Sequence, residues 1–118
     1  MRLFALDDHK AKASGGTATE VLEIGPVPQD LVWEIQHVAV EDETSDFTAV
    51  RIGPAEANGF RPLLEFRPGV AGELYASEEP IYVTSGRFIR AEFSGTTSGD
   101  KLALRINGHQ LPEGWPSA

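Results

Sequence analysis

The stretch Pro80–Leu111, PIYVTSGRFIRAEFSGTTSGDKLALRINGHQL, decides how this chain folds. Within it Ile89, Ala91 and Phe93 alternate with Arg90 and Glu92, and Leu102, Leu104 and Ile106 alternate with Ala103 and Arg105. Side chains along a strand point to opposite faces in turn, so each run reads as a strand with one buried and one wet face. If the runs pair with each other, both apolar sets share a face in the register Phe93–Leu102, Ala91–Leu104 and Ile89–Ile106. A slip of one residue would turn a whole apolar set into water. The small polar residues from Gly95 to Gly99 supply a loop that tolerates positive φ. No catalytic chemistry is visible here; the stretch specifies a scaffold.

Outward from this stretch the chain reads as further strands between turn signals. Leu3–Leu6 is a short strand or an arm, and Asp7–Thr17 is small and polar, hence a connector. Thr19–Ile24 is a strand closed by Gly25-Pro26-Val27-Pro28, where two prolines cannot continue a ladder. Leu31–Val40 is the longest strand. Leu31, Trp33 and Ile35 share one parity and Val38 and Val40 the other, so a bulge near Gln36-His37 is expected to restore the face. Phe47–Ile52 and Leu63–Phe66 are strands, Gly69–Ser77 a loop, and the end from Leu111 an irregular tail rich in proline and glycine. No window carries a helical apolar period. The expectation is an all-β, antiparallel β-sandwich of jelly-roll or Greek-key type with about seven or eight strands. Its core would hold Trp33, Ile35, Ile89, Phe93, Leu102, Leu104 and Ile106. Residues 1–118 form one domain, with 1–17 an N-terminal arm and 111–118 a C-terminal tail.

The 118 residues suffice for a core without staples. Cysteine is absent, which removes disulfides and thiolate metal sites and suits a reducing compartment. Eighteen acidic residues against ten basic give a formal charge of −8, a field that repels phosphate backbones, so nucleic acid is not an expected partner. Arg2–Leu6 is too short for a signal-peptide core, and nothing approaches the ~20 apolar residues of a spanning helix. The expected product is soluble and made in the cytoplasm.

Candidate sites are each better explained by turns or packing. His9, His37 and His109 have no ligand spacing, so no metal site is expected of them. Glu41, Asp42, Glu43 and Asp46 could offer oxygens to calcium but lack the order of a calcium loop, and a solvated turn accounts for them. Ser85, Ser94 and Ser98 are turn serines without a nucleophile motif. Trp33 reads as core. Trp115, in a proline-bound tail, either folds back on the sandwich or anchors on a neighbouring subunit. No catalytic residue, cofactor or metal is expected.

The order Val27-Pro28 … Val32-Trp33-Glu34-Ile35, an acidic turn, then Pro80-Ile81-Tyr82-Val83 … Gly86 … Ile89 … Phe93 … Gly99-Asp100 … Ile106-Asn107-Gly108 resembles small β-sandwich structural proteins of tailed bacteriophages. The resemblance spans Val21–Leu111. It implies a non-enzymatic virion protein assembled in the host cytoplasm, decorating the capsid, forming a head-fibre base or sitting in the tail. Its partners would be other virion proteins and itself, in a homo-oligomer such as a trimer, without membrane or nucleic-acid contacts. Leu3, Phe4, Leu6, Leu111 and Trp115 are the candidate subunit contacts, being large apolar residues near the two ends of the chain, outside the alternating strands. The alternative is a carbohydrate- or receptor-binding module using Tyr75, Tyr82 and Trp115.

Overall fold

The computed structural model describes residues 4–113. They form β1 (Phe4–Ala13), β2 (Thr19–Ile24), β3 (Leu31–Asp42), β4 (Ala49–Glu56), β5 (Gly59–Phe60), β6 (Leu64–Phe66), β7 (Tyr75–Ser77), β8 (Ile81–Thr84), β9 (Phe88–Ser94) and β10 (Lys101–Pro112). One sheet runs β1-β10-β3, with β7 and β8 both pairing the far side of β3. The other runs β2-β9-β4, with β5 and β6 both on β4. All pairings are antiparallel. The chain therefore crosses between sheets at six of its nine connections, and the two antiparallel sheets pack as a β-sandwich. Ten strands replace the expected seven or eight because two positions are each broken in half. Pro62 lies between β5 and β6, and Pro80 between β7 and β8, and neither can donate to a ladder.

The expected β9–β10 hairpin does not form. β9 pairs with β2 and β4, whereas β10 pairs with β1 and β3 in the opposite sheet. The alternation correctly puts Ile89, Ala91, Phe93, Leu102, Leu104 and Ile106 in one core, and all are buried there. That pattern requires a common interior, which two strands satisfy equally well side by side or facing across it. Trp33 and Ile35 complete the expected core and are buried too. Each large side chain so enclosed contributes roughly 1.5–3 kcal/mol.

Three further elements depart from expectation, the first being Tyr75–Ser77, expected in a loop but paired with Val38–Val40 as β7. Asp7–Ala13 is strand rather than connector, and all 10 residues of β1 pair with β10. The strand carries no apolar alternation because it closes the sheet at an edge, where Asp7–Ala13 are all exposed and charges protect against edge-to-edge pairing. Likewise β10 runs through Leu111 to Pro112, into the segment expected to be an irregular tail, of which residues 114–118 lie outside the described ones.

The bulge in β3 is present. His37 pairs with Asn107 and Ile35 with Gly108, leaving Gln36 without a partner and returning Val38 and Val40 to the interior. The opposing residue must be glycine, since a β-carbon at 108 would overlap the Glu34 carbonyl oxygen.

Candidate docking groove

Where β8 ends one sheet and β5 flanks the other, the sandwich leaves a groove of about 480 Å³. Pro80 starts its β8 wall and the turn at Gly86, with φ 81°, ends it. Pro54, Ala55, Phe60 and Leu63 form the opposite wall, with Glu56, Arg61 and Arg87 supplying charge. Leu63 is 54% exposed and Tyr82 55%, high values for side chains of this size. Arg87 reaches Glu56 at 3.5 Å across the groove. Phe60 is held from beneath by Arg90, whose guanidinium carbon lies 5.4 Å from the ring centre.

Tyr82 is fixed in place. Its phenol donates to Glu34 Oε2 at 2.9 Å, while Gln36 Nε2 donates to Glu34 Oε1 at 3.0 Å and His109 Nδ1 lies 3.6 Å from the same oxygen. The Tyr82 bond is the main reason the Glu34 carboxyl sits below its ordinary value, with Gln36 and His109 adding to it. The same bond holds the phenol proton on, raising Tyr82.

The candidate subunit contacts separate into two groups. Leu6 is 8% exposed and part of the core, and Leu111 is 6% exposed, so neither is a free contact in this chain. Both became strand residues: Leu6 enters the interior opposite Gly108, which has no side chain to block it, and Leu111 pairs with Val32. Leu3, Trp115 and the side chain of Phe4 lie outside the described residues. Of the aromatics expected to stack a sugar, Tyr75 is committed to packing. It meets Phe47 edge-on with ring centres 6.0 Å apart, and its hydroxyl accepts from the Val70 amide at 2.8 Å. That leaves Tyr82 as the one exposed aromatic of that set among the described residues.

In the acidic segment Glu43 and Asp46 are exposed, as a solvated turn requires, but Asp42 is not. Asp42 is 0% exposed and Asp100 1%, not solvated. The signal was in the parity: Asp42 continues Val38 and Val40, and Asp100 precedes Leu102, Leu104 and Ile106, each on the inward face. Glu20 likewise continues the inward face of Leu22 and Ile24 and is 4% exposed. It accepts from the Gly15 amide at 2.9 Å, the Thr17 amide at 3.2 Å and the Thr17 hydroxyl. These bonds, that of the Thr17 side chain first, lower its carboxyl to about 2 against the opposing effect of burial. Among the described residues no three His, Asp or Glu side chains converge as metal ligands.

No family model, curated protein or solved structure matches the chain.

Proposed function

We propose that this is a non-enzymatic structural protein of a bacteriophage virion, an oligomeric component of capsid decoration, head-fibre base or tail. It works by burying apolar surface against an extended segment of a neighbouring virion protein. The observation that carries the reading is the groove between β8 and β5, which places Leu63 and Tyr82 in solvent beside an otherwise well-filled interior. An exposed apolar patch rimmed by charge is the usual form of a protein contact. The two-sheet sandwich supports the virion setting by analogy of fold alone, since jelly-roll sandwiches serve capsids and lectins alike. Sedimentation velocity across a concentration series, with co-purification from particles, tests the reading. Reversible association and particle-bound protein are expected. A monomer at every concentration that also fails to co-purify with particles contradicts it.

A further inference from the structure

At the end of the sandwich marked by Asp42 and Asp100, four connections are tied together. Ser14 donates its amide to the Asp100 carbonyl at 2.7 Å and accepts from the Gly99 amide at 2.8 Å, joining the β1–β2 and β9–β10 loops. The Gly72 amide donates to the Asp42 carbonyl at 2.8 Å, bringing in the β6–β7 loop. The β3–β4 loop begins at Asp42 itself, and the Glu43 amide donates to the Lys101 carbonyl at 2.9 Å.

The two carboxyls sit inside this knot. Asp42 Oδ1 accepts the amides of Thr44 at 3.0 Å and Ser45 at 3.2 Å. Asp100 Oδ1 accepts the Ser45 hydroxyl at 2.8 Å, and Oδ2 the Thr97 amide at 2.9 Å. Three of the four oxygens are thus supplied with donors. Asp42 Oδ2 is enclosed without one, and Ser45 ties the two carboxyls together, its amide on Asp42 and its hydroxyl on Asp100. A buried oxygen left in this state costs free energy that a single hydrogen would recover. A calcium-like cation needs about six to eight oxygens, and here one is open.

We infer that Asp42 and Asp100 share one proton, Asp42 Oδ2–H donating to Asp100, and that this proton locks the four loops together. With one negative charge the end is closed. With two, adjacent buried carboxylates repel and the 43–48 and 95–100 loops loosen.

Burial raises the Asp42 carboxyl and the bond to Asp100 raises it further, outweighing the Thr44 and Ser45 amides. Burial also opposes ionisation of Asp100, but the bonds from Asp42, Thr97 and Ser45 prevail and hold it below its ordinary value. The proton therefore resides on Asp42. Other charged groups on these loops and their flanks are Glu41, Glu43, Asp46, Glu73 and Lys101, and on the β1–β2 side Lys12 and Glu20. Glu20 is turned onto Gly15, Thr17 and Lys12, and Asp46 onto the Ala71 amide. The contribution of a raised acid is full below its ordinary value, 3.8 here, and is lost as pH rises through the raised one. Asp100 adds the opposite limit, losing its contribution as pH falls below 3.8.

Thermal melts of the full chain and of Asp42→Asn, from mildly acid to mildly alkaline pH, test the inference. Asparagine keeps the acceptor for Thr44 and Ser45 and donates permanently to Asp100. Wild type should lose Tm as pH rises while Asp42→Asn holds steady, standing about 4 °C or more above it on the alkaline side. Parallel curves, or a variant less stable at alkaline pH, overturn the inference. Hydrogen exchange on wild type needs no variant: the Thr44, Ser45 and Thr97 amides should lose protection with rising pH, and unchanged protection overturns the lock. Excess calcium chloride separates the other occupant, because stabilisation of wild type but not Asp42→Asn would mean a cation in place of the proton.

Discussion

The indole Nε1 of Trp33 donates to Oε1 of Gln110 at 3.0 Å, joining β3 to β10 on the far side of the Gln36 bulge. The bond satisfies the one polar atom of a 5% exposed tryptophan and pins the last turn of register before Pro112. Gln110→Ala strands that indole donor. It should destabilise the protein by about 1–3 kcal/mol, the cost of a buried donor left unpaired. Urea unfolding followed by tryptophan fluorescence reads the loss as a lower midpoint at unchanged slope.

Gly108→Ala should be more damaging than its single methyl suggests. The new carbon meets the backbone oxygen of Glu34, which cannot step aside without breaking the β3–β10 ladder. Overpacking of this kind costs about 1–3 kcal/mol. An exposed control, Gly59→Ala, meets nothing within 4 Å and should remain within about 0.5 kcal/mol of wild type. Equal midpoints for the two variants would remove the bulge from the account.

Glu20 sets a separate acid limit. Its carboxyl is lowered from 4.5 to about 2, so its contribution is complete above 4.5 and disappears as pH falls toward 2. Glu20→Gln should be less stable than wild type at neutral pH, and the gap should close with acidification. Melts at a series of pH values check this, and a gap independent of pH would assign the loss to packing.

Much of the fold was legible because burial imposes a period of two. Trp33 and Ile35, the parity break at Gln36, and the sets Ile89–Phe93 and Leu102–Ile106 all follow from which side chains must leave water. Partner choice was not legible. Ile89–Phe93 and Leu102–Ile106 serve one interior whether they are neighbours in a sheet or face each other across the core. β1 escaped because its Asp7–Ala13 portion lies at a sheet edge with both faces wet and has no apolar alternation to read. Asp42 and Asp100 carried the inward parity, but acidic composition masked it. The groove needs Leu63 and Tyr82 brought together from residues far apart in the chain, which no local pattern encodes.

The docking groove is the centre of the functional account, and a double variant, Leu63→Asp with Tyr82→Ser, tests it most directly. Both residues lie on the exposed flank, so the fold should persist with a melt close to wild type. Sedimentation equilibrium, or binding to particles, should then show association weakened at least tenfold, about 1.4 kcal/mol. Association as tight as wild type, in a variant that melts normally, would contradict the claim that this groove is where the protein holds its neighbours.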